Sequence, residues 1–334
     1  MTTTTDASVH PHHRHGWWWK TLLAGAVLWA VTVVVTVLTL NTNLVPTIIL
    51  LGSFLVPFTV VLFVIERVTG TVSTMQLVTA FFVGGVLGVL GASLLEADLR
   101  QDAFVYVVVG FVEELVKGVL LLVVGWRVRP KTARQGALLG ATIGAGFAAF
   151  ESAGYAFNAA ITQRGIDLVS LLQTEVVRAV LSPVGHVLWT AILGAVLFGA
   201  ARGGARLRWS WSIPVAYVGV ALLHGLWDSN GTLSTVLAFV LTGTPLSAAG
   251  TGAVPPTLAG IATTLYVVGL LVVTLIGVAV LVWLLVSHRH RDRALLERAQ
   301  AERAQAAVGG PSWWAVAGPV EQRDWEAAPR RDDR

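Results

Sequence analysis

Apolar runs long enough to cross a lipid bilayer recur along this chain, and nothing constrains its fold more. The runs fall at 17–40, 44–65, 76–95, 103–124, 135–158, 180–201, 211–230 and 261–286. Each supplies about 20 residues, which matches a hydrocarbon core of roughly 30 Å. Composition agrees: 55% of the 334 residues are hydrophobic and only 13% are charged, against about 25% charged in an ordinary soluble domain. The first run is longer than the 7–15 apolar residues of a signal peptide, and no small-residue cleavage site follows it. The expectation is an all-α polytopic membrane protein of about eight transmembrane helices.

Loop charges orient these spans. With the N-terminus inside, the inner segments hold Arg14, Lys20, Arg67, Arg127, Arg129, Lys131, Arg134, Arg202, Arg206, Arg208, Arg289, Arg291 and Arg293. The outer segments hold Arg100, Arg164 and Arg178. Positive charge gathers on the cytoplasmic side of membrane proteins, so both termini are expected there. The formal charge of +4 is then a matter of orientation and implies no nucleic-acid partner. An excess of Val, Ala, Gly and Arg over Lys points to a GC-rich bacterial genome, and the expected location is the bacterial plasma membrane. Cysteine is absent, which excludes disulfides, thiolate-bound zinc and thiol catalysis.

The expected organisation has three parts. Residues 1–16 form a polar, disordered cytoplasmic N-terminus, in which the histidines of 10–15 read as a solvated tail. Residues 17–287 form the membrane domain. Residues 288–334 form a charged surface helix (288–307) and a disordered tail. Between the spans, 159–178 reads as an interfacial helix and 229–260, which has no charged residue, as a re-entrant segment or lid. Gly84-x-x-x-Gly88 and Gly140-x-x-x-Gly144 suit close helix packing.

The ionisable residues inside the spans are the functional signal. They are Glu113, Glu114 and Lys117 in the fourth, Glu151 in the fifth, His186 in the sixth, and His224 and Asp228 in the seventh. A charge at a helix centre costs roughly 2.5–3.5 kcal/mol on insertion scales, so such groups mark function by default. At about 1.5 Å per residue, His186, His224 and Glu151 fall roughly 10 Å below the outer surface. Asp228 lies near the rim, and Glu113 and Glu114 lie roughly 15 Å in. Four helices thus bring carboxylates and imidazoles to overlapping depths. Lys117 is i,i+4 from Glu113 and i,i+3 from Glu114, so it can neutralise either. The adjacent glutamates point about 100° apart, so one can face a ligand while the other faces the lysine.

Two imidazoles with carboxylates and no thiol suit a catalytic zinc site, in which three protein ligands leave a position for water. Carboxylates could also activate water without a metal. Carboxylate and histidine chains build proton relays as well, so a proton- or cation-coupled transporter is the alternative reading.

The pattern resembles the PrsW family of bacterial intramembrane proteases. E-E-x-x-K stands at Glu113–Lys117, F-x-x-x-E at Phe147–Glu151 and H-x-x-x-D at His224–Asp228, with His186 between the last two. More distantly it is similar to the CAAX-prenyl protease and bacteriocin-processing superfamily, from which Glu151 in place of histidine and the lysine spacing separate it. The resemblance covers about residues 75–230, with the catalytic helices at about 103–230. It implies peptide-bond hydrolysis in the membrane near the extracytoplasmic side. The implied substrate is a single-span membrane protein such as an anti-sigma factor. The implied roles are Glu113 and Glu114 as the catalytic pair with Lys117 beside them, and Glu151, His186 and His224 as ligands of a zinc ion. Asp228 would be a further ligand or a partner of one.

Overall fold

A computed structural model describes residues 16–67, 72–100, 104–201, 207–245 and 255–308. The expected disordered tails, 1–15 and 309–334, lie outside the described residues, as does 246–254 of the expected lid. The described chain is helical apart from turns and one two-residue hairpin. Its helices are α1 (Trp17–Thr39), α2 (Val45–Ile65), α3 (Thr74–Phe82), α4 (Gly88–Glu96), α5 (Val105–Gly125), α6 (Ala133–Ala160), α7 (Leu168–Leu181), α8 (His186–Ala200), α9 (Ser212–Thr242) and α10 (Pro256–Val308).

Among the described residues, six helical segments are long and apolar enough to cross a membrane. These are α1, α2 with the turn before it, α3 joined to α4 through a π turn at Val83–Leu87, α6, α7 with α8, and α10. The two other runs counted in the sequence form α5 and α9, of 21 and 31 residues. They carry Glu113, Glu114, Lys117, His224 and Asp228, so the residues that mark a site also lower their hydropathy. Large apolar side chains on α1 and α10, among them Leu23, Val27, Leu271 and Leu275, are exposed around the bundle. A surface of that extent needs an apolar solvent.

The centre of the bundle is α6, which packs on α8, α2, α3, α5 and α7. Its sequence, rich in alanine and glycine, explains why. Gly136, Gly140 and Gly144 lie one turn apart and face the α8 backbone. A Cβ at Gly144 would come within 2.8 Å of the His186 carbonyl carbon. A second close approach joins α5 to α9, where a Cβ at Gly110 would stand 2.8 Å from the Gly225 amide nitrogen. These two contacts bring His186 towards α6 and His224 towards α5.

Three expectations about the connections are corrected. Residues 159–178 are not a single interfacial helix. Ala160 ends α6, Ile161–Thr162 pairs with Gly165–Ile166 in an antiparallel hairpin, and α7 then starts under an Asp167 cap whose Oδ1 accepts from the Ser170 amide at 3.0 Å. From there α7 runs on to a turn at Ser182–Val184, which breaks the segment and makes His186 the first residue of α8. Pro183 explains the break, since it supplies no N–H to an α-helical ladder. Residues 229–242 do not fold back but extend α9, and Ala238 and Phe239 pack on Leu258 of α10. Finally, 288–307 is no separate helix. It continues the last span as one 53-residue helix, because no glycine or proline falls between Gly277 and Gly309. This extension returns to the basic end of the bundle, where Asp292 Oδ2 accepts from the Arg134 amide at 3.1 Å.

Candidate active site

The α5 helix resolves the adjacent glutamates onto different neighbours. Glu114 is wholly buried; its Oε1 lies 2.6 Å from Lys117 Nζ and 3.1 Å from His224 Nδ1. Glu113 instead faces an open cavity, with Oε2 3.3 Å from Lys117 Nζ. The lysine therefore bridges both carboxylates from one helix turn away. It also lies 2.9 Å from His186 Nδ1 and over the Phe147 ring at 4.3 Å. An ammonium offers donors only, so His186 Nδ1 accepts and its proton is on Nε2.

The two imidazoles stand side by side, with ring centroids 5.0 Å apart. Trp189, fully buried one turn beyond His186 on α8, stacks on His224 at 4.5 Å and packs edge-on against His186 at 5.4 Å. His186 Nε2 donates to Glu151 Oε2 at 2.9 Å. His224 Nε2 lies 3.2 Å from Asp228 Oδ2, one turn along α9. The i,i+4 spacings visible in the sequence thus become contacts: Asp228 reaches His224, and Phe147 and Glu151 both meet His186.

One carboxylate faces both imidazoles. Glu113 Oε2 is 3.8 Å from His186 Nδ1 and 3.6 Å from His224 Nε2. One donor atom each from Glu113, His186 and His224 falls within 4.8 Å of the others. The donor set fits a divalent cation that takes the place of the Lys117 ammonium at His186 Nδ1. It has one carboxylate and two imidazoles, and the second nitrogen of each ring, Nε2 of His186 and Nδ1 of His224, is held by Glu151 or Glu114. Such outer carboxylates are the usual support of metal-binding histidines. Glu151, expected from the sequence among the ligands, lies behind His186 Nε2 and is paired with Arg178. Asp228, also expected there, touches His224 alone of the two rings.

The cavity that Glu113 faces holds about 430 Å³, and Glu96, Tyr106, Glu113, Glu151, Tyr155 and Asp228 are on its wall. Two of the charged residues around the site escaped the reading of the sequence. Glu96 ends α4, one residue beyond the expected span, and its Oε1 is buried without a hydrogen-bond partner. Arg178, expected in an outer segment, projects from α7 onto Glu151. The apolar residues that surround it, Val176, Val177, Ala179, Val180 and Leu181, were the signal that could have placed it inside.

An all-helical membrane bundle with a buried Glu–His–His cluster beside a cavity is the arrangement of a membrane-embedded hydrolase. A family model described as PrsW family intramembrane metalloprotease matches residues 18–254. The chain belongs to that family and is a peptidase. The match reaches beyond the 75–230 covered by the motifs, so α1, α2 and all of α9 are parts of the family domain. No curated protein and no solved structure matches the chain.

Proposed function

We propose that this protein cleaves a single-span membrane protein, an anti-sigma factor being the substrate class implied by its family. The cut falls in the outer half of a bacterial plasma membrane. Glu113, His186 and His224 hold a zinc ion there. The observation that carries this reading is the convergence of Glu113 Oε2, His186 Nδ1 and His224 Nε2, with each ring braced by a carboxylate at its other nitrogen. A bound zinc ion supplies Lewis acidity to a scissile carbonyl and to a water molecule.

The chain's own residues do the remaining work. Glu114 fixes the orientation of His224, and Lys117 offsets one of the two charges of the Glu113–Glu114 pair. Asp228 is part-exposed on the cavity wall beside His224 Nε2. It takes the proton of the attacking water at Oδ2 and returns it to the leaving amine. The burial of Phe147 and Trp189 against the imidazoles keeps water from the ring faces they cover.

The ends of the helices support this location. The site is at the end of the bundle where α4 and α6 stop and α5 and α8 start. The opposite end carries Arg127, Arg129, Lys131 and Arg134. By the positive-inside bias that end, with both termini, is cytoplasmic.

Metal content of the detergent-purified chain tests the reading. One zinc per wild-type chain, lost in Glu113→Ala, His186→Ala and His224→Ala, is expected. A folded wild-type protein without metal would contradict it.

A further inference from the structure

Arg178 is a charged group at the site that the chemistry above leaves without a task. It sits on α7, two turns before His186 and on the far side of the Ser182–Val184 break. Its guanidinium grips one stretch of α6 at three places. Nε donates to Ser152 Oγ at 2.7 Å, Nη2 donates to Glu151 Oε2, and the guanidinium carbon lies 4.3 Å over the Tyr155 ring. The same Glu151 oxygen accepts from His186 Nε2 at 2.9 Å. Arginine and histidine are therefore two donors to one carboxylate oxygen, and the chain of contacts runs from Arg178 through Glu151 to the ring.

That chain decides which way the histidine faces. Glu151 lines the cavity, and without the guanidinium its carboxylate would be free to swing into it. Held by one N–H of a planar fork whose Nε–H is anchored on Ser152 Oγ, it stays behind His186. The ring then keeps its proton on Nε2 and its lone pair on Nδ1, which accepts from Lys117 and lies 3.8 Å from Glu113 Oε2. A lysine could carry the charge but not both directions at once.

We propose that Arg178 is a positioning residue of the metal site, acting through Glu151 to fix the tautomer and orientation of His186. The inference rests on the metal reading above. The test is the zinc affinity of the full-length chain in detergent, measured by chelator competition for wild type, Arg178→Gln, Glu151→Gln and the double variant. Outer carboxylate partners of a metal-bound histidine typically carry roughly 10–100-fold in metal affinity, so each single variant is expected to lose that much. The double variant should be no weaker than Glu151→Gln alone. An arginine that only clamps α7 onto α6 would lower Tm and leave zinc affinity unchanged. Wild-type affinity in Arg178→Gln, or losses that multiply in the double variant, would overturn the positioning role and leave the metal reading standing. Where Arg178→Gln does not fold, Arg178→Lys decides: weakened zinc binding supports the role and wild-type binding overturns it. A wild-type chain that binds no zinc overturns the metal reading and this inference with it.

Discussion

The Lys117 ammonium lies 2.6 Å from Glu114 Oε1, and neither side chain has any solvent exposure. A buried pair of this kind is costly to break because the remaining charge has no water to turn to. Lys117→Met should therefore destabilise the protein by about 3–5 kcal/mol. Lys117→Met combined with Glu114→Gln should recover part of that loss, since the one carboxylate it leaves without the ammonium, Glu113, faces the cavity. Thermal unfolding in detergent reads both. A single variant as stable as wild type would show that Lys117 is not the counter-ion.

The approach of α6 to α8 gives a steric prediction. A methyl at Gly144 meets the His186 carbonyl group, which is backbone and cannot give way without moving α8. Gly144→Ala should shift His186 out of line with Glu113, costing about 1–3 kcal/mol by overpacking and most of the peptidase activity. Gly154, on the same helix, has nothing within 4 Å of a built Cβ, so Gly154→Ala is the control and should retain activity. Equal activity of the two variants would refute the argument.

At the opposite end of the bundle, Glu66 caps α1 from α2. Its carboxylate accepts from the amides of Gly16 at 3.0 Å, Trp17 at 2.6 Å and Trp18 at 3.3 Å. Burial pushes its pKa up, but the three amide bonds and Arg67 outweigh that and hold it below 4.5. A depressed carboxyl pKa stabilises the folded state above the unfolded value and loses that contribution as the pH falls through the folded one. The cap should therefore hold at neutral pH and release below pH 4.5. Amide hydrogen exchange at Trp17 and Trp18, compared between wild type and Glu66→Gln, follows it. Protection in Glu66→Gln equal to wild type at neutral pH would exclude the cap.

What could be read from the sequence was what a single helix turn determines. An i,i+4 spacing puts Asp228 on His224 wherever the helix goes, and adjacent glutamates must diverge, so Glu113 and Glu114 parted as expected. What could not be read depended on neighbours far along the chain. Arg178 and Glu96 were missed because a span boundary drawn a few residues off moves a charge from the interior to a loop. The placement of Glu113 opposite both imidazoles depends on two glycine contacts, Gly144 with His186 and Gly110 with Gly225. Their partners are tens of residues or more away in the chain. The lengths of α9 and α10 were underestimated because hydropathy marks where a membrane ends, whereas a helix runs on until its backbone ladder is broken.

The central claim is that Glu113 serves peptide-bond hydrolysis inside the membrane. The direct measurement is co-reconstitution of the purified chain with a single-span anti-sigma factor in liposomes, with new peptide ends identified by mass spectrometry. Wild type should cut the substrate near its extracytoplasmic face, and Glu113→Gln, equally folded, should not. The same cut at the same rate by Glu113→Gln would contradict the account.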